Sequence, residues 1–206
     1  MHPLLSTGDG DRTVILAHGA GAPMDSDFMN AVAKGLATAG LRCVRFEFPY
    51  MAQRRVDGKK RGPNTAAVLL ATWREVVAQV AGEDAGRLII GGKSMGGRIA
   101  TMVADELGVA GVVCLGYPFH PPGKPEKLRT EHLRAIETPV LVVQGERDTF
   151  GARAEVATYD LSAKITFAWA PDGDHSLKPR KRSGHTMDEN LEQAIEAIVE
   201  FIADLP

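Results

Sequence analysis

With only two cysteines in 206 residues, the chain has no disulfide framework to read. Cys43 and Cys114 each sit inside an apolar strand-like run, where buried free thiols are expected rather than a disulfide or a metal pair. No stretch approaches the roughly 18 uncharged apolar residues that a bilayer-spanning helix needs. The opening residues, which include Gly8-Asp9-Gly10-Asp11, lack the basic-then-apolar order of a secretory leader. The expectation is a soluble, cytoplasmic protein with no membrane partner. Charge of one sign is missing as well: 24 Lys and Arg against 26 Asp and Glu leave a net charge of −2. That balance gives no global attraction to nucleic acid. Internal repeats, low-complexity tracts and an interdomain linker are also absent from the sequence.

What is present fits one globular domain over residues 1–206, with 44% apolar and 24% charged residues and enough chain for a sizeable core. Short β-rich runs at 13–17, 42–48, 87–91, 111–115, 140–144 and 165–169 alternate with helix-compatible segments. Most of these runs are apolar on both faces, which predicts a parallel sheet covered by helices on both sides, because parallel neighbours need crossover connections. The expected fold class is therefore α/β, with about six or seven mostly parallel strands. Leu69, Trp73, Val76, Val77 and Val80 recur at helical spacing, as do Leu191, Ile195, Ile198, Val199 and Ile202, so both sets are expected in the core. Thr186 followed by Glu189 forms a capping box that starts the last helix and gives neighbouring His185 a structural explanation.

The run Arg87 to Ile90 leads into Gly91-Gly92-Lys93-Ser94-Met95-Gly96-Gly97-Arg98. Gly92 to Gly96 fits G-x-S-x-G, in which a sharp strand-to-helix turn presents a serine nucleophile, here Ser94. A phosphate cradle at the same turn is the alternative, but the full G-x-x-x-x-G-K-[ST] spacing is missing. A serine hydroxyl needs a base and a carboxylate that orients it, and in open α/β sheets both belong just beyond strand ends. Asp148 follows the run at 140–144, and His175 follows the run at 165–169, giving the order Ser, Asp, His. Glu146 is the alternative to Asp148; Asp172 and Asp174 suit local turn bonding. His2, His132 and His185 lie in less suitable places. The oxyanion would take backbone N–H groups from Met95 and from the glycine-rich turn His18-Gly19-Ala20-Gly21, with Ala20 preferred, Gly21 beside it, and His18 as a brace.

These pieces, in this order, make the chain resemble an α/β-hydrolase over nearly its full length. More narrowly, H-G-A-G, F-P-Y, G-G-K-S-M-G-G-R, Q-G-E-R-D-T-F-G and G-D-H-S are similar to a small group related to dienelactone hydrolases, which includes testis-expressed and chromatin-complex hydrolase-like proteins. Serine at position 94 replaces the cysteine of dienelactone hydrolases themselves, so lactone cleavage is not implied.

The interval 117–139, where many relatives insert a helical cap, holds Pro118, Pro121, Pro122 and Pro125 and room for one helix, so no lid domain is expected. An open site favours accessible esters or thioesters over a long enclosed chain. Tyr117, Phe119 and His120 are candidates for lining it, with simple packing of the proline-rich loop as the equal alternative. Arg54, Arg55, Lys59, Lys60 and Arg61 in one expected loop, and Lys178, Arg180, Lys181 and Arg182 in another, hold nine of the 24 Lys and Arg residues. Two solvated loops are the simpler reading, and steering of an anionic substrate is the other. The expected function is a serine hydrolase of small-molecule esters or thioesters through an acyl-enzyme intermediate, with no metal or organic cofactor. A peptidase shares this chemistry, and a non-catalytic module contacting an acidic partner through the basic segments 54–62 and 178–182 is the rival of another class.

Overall fold

A computed structural model describes residues 1–81 and 84–206. Seven strands form one sheet in the order β1-β3-β2-β4-β5-β6-β7. They are β1 (Leu4–Thr7), β2 (Thr13–Ala17), β3 (Arg42–Phe46), β4 (Leu88–Lys93), β5 (Gly111–Leu115), β6 (Val140–Gly145) and β7 (Ile165–Ala170). β1 pairs antiparallel with β3, and every other neighbouring pair is parallel. The short, half-exposed β1 extends the expected set at one edge.

The central strands are apolar throughout because consecutive side chains enter two different cores. Ile15, Ala17, Val140 and Val142 face a layer built by α2 (Pro49–Asp57), α3 (Ala66–Ala81) and α4 (Met95–Thr101). Val14, Leu16, Leu141 and Val143 face α1 (Asp27–Thr38) and α7 (Met187–Ala203). Trp73, Val76 and Val77 are buried on α3, and Ala194, Ile198 and Ile202 on α7, as their helical spacing predicts. The Thr186 hydroxyl accepts from the Glu189 N–H and the Glu189 carboxylate accepts from the Thr186 N–H, so the capping box starts α7 as expected.

Two expectations about local structure are corrected. The third strand ends at Phe46 rather than 48, because Phe48 is the N-cap of α2 and Pro49 is pre-set for a first helical turn. Arg54 and Arg55, expected in a loop, therefore lie on α2, which closes at Gly58 with φ 68°. Between β5 and β6 the described chain contains one short 3-10 turn, Glu131–Arg134, and no cap domain.

The strand order also fixes where a crevice opens at the carboxyl ends of the strands. β2 has β3 on one side and β4 on the other, so chain connections leave in opposite directions there and open a crevice beyond the strand ends. At that point β2 and β4 approach very closely. A Cβ on Gly92, whose φ is 151°, would lie 2.1 Å from the Ala17 carbonyl oxygen. Gly92→Ala is expected to destabilise the fold by about 1–3 kcal/mol, seen as a lower urea midpoint at unchanged slope. An unchanged midpoint would contradict this packing.

Candidate active site

The turn after β4 holds Ser94 at φ 51°, a conformation that non-glycine residues seldom adopt. Two contacts fix the turn. The Ser94 N–H donates to the Leu115 carbonyl at 3.0 Å, and the Ser94 carbonyl accepts from the Arg98 N–H at 3.0 Å as α4 starts at the next residue. Gly96 allows the helix to approach, since a Cβ there would fall 2.5 Å from the Ala17 oxygen and 2.7 Å from the His18 oxygen. The Ser94 hydroxyl is thus held beyond the sheet edge rather than folded back as a helix cap.

Ser94 Oγ lies 2.8 Å from His175 Nε2. On the other side of the ring, His175 Nδ1 donates to Asp148 Oδ2 at 2.8 Å. Asp148 is fully buried and accepts two further hydrogen bonds: the Phe150 N–H donates to Oδ1 at 2.8 Å and Gln144 Nε2 donates to Oδ2 at 2.9 Å. Gln144, at the end of β6, is locked in turn by the Tyr117 N–H donating to its Oε1 at 2.7 Å. The His175 ring also stacks on Phe150, with centroids 4.1 Å apart. A hydroxyl, an imidazole and a buried carboxylate in one line can move a proton off oxygen while keeping the resulting cation paired.

The loop carrying His175 is fastened from both sides. Asp174 Oδ1 accepts from the Ser176 and Lys178 N–H groups, so its role is local, as its turn context suggests. Asn190 on α7 is buried, and its amide donates to the Pro171 carbonyl at 3.1 Å and the Leu177 carbonyl at 2.7 Å. From the nucleophile side, Lys93 Nζ donates to the His175 carbonyl at 2.6 Å. Glu146 accepts from the Asp172 N–H and pairs with Arg153, so it has no contact with the imidazole. Asp172 itself pairs with Arg147 and Arg180.

The turn after β2 forms another wall. His18 is buried, accepts from the Phe48 N–H on Nε2 at 3.1 Å and donates from Nδ1 to the Gly19 carbonyl at 2.6 Å. Burial lowers its pKa and keeps the ring neutral in this bracing role. The Tyr50 hydroxyl donates to the Ala20 carbonyl at 3.0 Å. A cleft of about 530 Å3 opens over these groups, walled by Ala20, Gly21, Phe28, Met29, Lys93 and Phe150 beside Ser94 and His175.

The structure brings Ser94, His175 and Asp148 together, and sets Ala20 and Gly21 in the same cleft. It takes Tyr117, Phe119 and His120 elsewhere: all are buried and none lines the cleft. The Tyr117 hydroxyl donates to the Arg129 carbonyl at 2.9 Å, and Phe119 packs against the Tyr117, Tyr159 and Phe167 rings. His120 is held at the Pro121 carbonyl. Their packing of the proline-rich loop is what the geometry supports. His132 is also structural, 2.9 Å from the Thr101 hydroxyl, with burial pushing its pKa down to about 4.

Three of the nine residues in the basic segments are held in ion pairs among the described residues. Arg55 pairs with Asp25 and Glu47, Arg61 with Asp57, and Arg180 with Asp172. None of the nine lines the cleft. Gln144, Asn190 and Lys93 brace the candidate site, and sequence reasoning missed them in that position. Gln144 carried one usable signal, a polar residue ending an apolar strand four positions before Asp148.

A model of the alpha/beta hydrolase domain matches residues 10–203. Among solved structures, an alpha-beta serine hydrolase homologue from Coxiella burnetii superposes with a TM-score of 0.67 at 20% identity, covering 96% of this chain and 89% of that one. A serine hydrolase without a lid from Xanthomonas campestris gives 0.71 at 18% identity, with 98% and 90% covered. A putative dienelactone hydrolase from Klebsiella pneumoniae gives 0.73 at 19% identity, with 98% and 93% covered. At these identities the likeness is one of fold. Among the described residues no helix is long and apolar enough to cross a membrane.

Proposed function

Because this chain belongs to the alpha/beta hydrolase domain family, we propose that it is a serine hydrolase of small carboxylic esters or thioesters, working as one minimal domain. The observation that carries this reading is the unbroken line from Ser94 Oγ through His175 to Asp148, with both contacts at 2.8 Å, opening into an apolar cleft. Ser94 Oγ attacks the substrate carbonyl as its proton passes to His175 Nε2. Asp148, accepting from Nδ1, keeps the attacking face of the ring unprotonated beforehand and pairs with the imidazolium afterwards. The carbonyl oxygen becomes an oxyanion, which the N–H groups of Met95 and Ala20 hold. Neither amide has a protein acceptor among the described residues, which leaves both available.

The intermediate collapses as His175 returns its proton to the leaving oxygen or sulfur, freeing an alcohol or thiol and leaving an acyl ester on Ser94. Water then gives a proton to His175 and attacks that ester. The acid departs and Ser94 recovers its hydrogen. No step draws on a metal or organic cofactor. The role of Ala20 rests on its place in the cleft wall, with Gly21 adjacent.

A fluorophosphonate tests the nucleophile directly, because it phosphonylates a serine only where a base activates it and a cleft admits the reagent. Peptide mapping should find the adduct on Ser94, with loss of ester turnover in proportion to labelling. Ester turnover that persists in fully phosphonylated protein, or an adduct at another serine, would remove Ser94 from this role.

A further inference from the structure

Lys93 is the last residue of β4 and sits directly before Ser94. Its side chain lines the cleft. Nζ stands 5.7 Å from the centroid of the Phe28 ring, next to Gly116, where a Cβ would come within 2.9 Å of it. Gly116 thus leaves room for the ammonium. An ammonium has three donors, and among the described residues Nζ has one acceptor, the His175 carbonyl. No carboxylate of the described chain lies within ion-pair distance of it. Asp148 already accepts from His175, Gln144 and Phe150, and Asp174 accepts from Ser176 and Lys178.

The rest of the wall is mostly apolar, formed by Ala20, Ala22, Phe28, Met29 and Phe150. Its one carboxylate is Asp27, which is exposed at the start of α1 and solvated. A cation in such surroundings is costly unless an anion approaches it. From Lys93, adjacent to the nucleophile, we infer that the cleft selects esters whose acyl chain carries a carboxylate a few bonds from the scissile carbonyl, with the Lys93 ammonium as counter-ion. This selectivity rests on the hydrolase reading above. It also relocates the source of any anion preference: none of the nine surface residues of the basic segments lines the cleft, and Lys93 does.

The pH dependence follows from the same surroundings. Burial lowers the Lys93 pKa to about 8, opposed by the charges of Asp148 and Asp174. The ammonium is therefore charged below that pH and loses its proton above it. Asp148, Asp174, Asp27 and His175 are the titratable groups facing it.

The test uses matched acyl chains in a titration of released acid: monoethyl succinate against ethyl butyrate, and monoethyl glutarate against ethyl valerate. At neutral pH the wild-type protein should give a higher kcat/KM for each half-ester than for its uncharged partner. Lys93→Met should shrink that ratio by about 10- to 100-fold, the weight of one charge-assisted contact. Any loss of His175 positioning affects both esters of a pair and divides out of the ratio. The wild-type ratio should also fall as pH rises through about 8, an arm that needs no variant. Equal ratios in wild type and Lys93→Met, or no preference for the half-esters at any pH, would overturn the carboxylate selectivity while Ser94-dependent hydrolysis of ethyl butyrate kept the hydrolase reading. Failure to hydrolyse any of the esters would take both down together.

Discussion

Ser94→Ala should lower ester turnover by about a million-fold, the scale seen when the nucleophile of an acyl-transfer triad is removed. The size follows from where the hydroxyl sits. It caps nothing in α4, and its hydrogen-bond partner is His175 Nε2 at 2.8 Å. Alanine therefore removes the attacking atom without orphaning a structural partner. Because serine and alanine meet the same backbone demand at φ 51°, the variant is expected to unfold at the wild-type temperature. His175, Asp148 and the apolar cleft all remain, so the binding of an uncharged product should persist. Titration of acid released from ethyl butyrate, alongside a thermal melt, separates the two effects. Turnover within tenfold of wild type in folded Ser94→Ala would mean that another group attacks the carbonyl.

The parts of this architecture that sequence exposes are those with a local cause. Central strands read as unbroken apolar runs because each is covered on both faces, and Ser94 and Asp148 stand out because each follows such a run at the carboxyl end of the strands, with His175 beyond the half-buried edge strand β7. β1 escapes notice because its four residues, three half-exposed and Ser6 exposed, carry no such run. α2 reads as a loop because Arg54, Arg55 and other polar residues dominate it, and Tyr50 and Met51 provide its buried anchors. Tyr117, Phe119 and His120 also follow a strand, yet the chain turns their side chains inward. Position beyond a strand end is shared by cleft and core residues, and direction is set only by tertiary packing. Lys93 and Asn190 are harder still. Lys93 acts on a residue 82 positions away, and Asn190 holds two carbonyls from another loop, which no local periodicity encodes.

Asp148→Asn carries the second-largest expected loss, about ten-thousand-fold in kcat, by analogy with the same exchange in serine proteases. The amide is nearly isosteric, so the cost lies in charge and in donor geometry. Oδ2 of Asp148 receives donors from both His175 and Gln144, and Oδ1 receives the Phe150 N–H. An asparagine offers one acceptor atom where the site presents donors on both sides. If its NH2 faces His175, the ring must accept on Nδ1 and carry its proton on Nε2, where it can no longer take one from Ser94. If its oxygen faces His175, the NH2 opposes the fixed Phe150 N–H, and the imidazolium formed during attack has no anion beside it. Both placements leave the protein folded and slow in acyl transfer. Fluorophosphonate labelling of Ser94 should slow alongside ester turnover, since both need the proton to leave Oγ. Glu146→Gln is the matching control: Glu146 bonds Asp172 and Arg153 rather than the imidazole, so turnover should stay within a few-fold of wild type. A large loss in Glu146→Gln with near-normal Asp148→Asn would transfer the orienting role to Glu146.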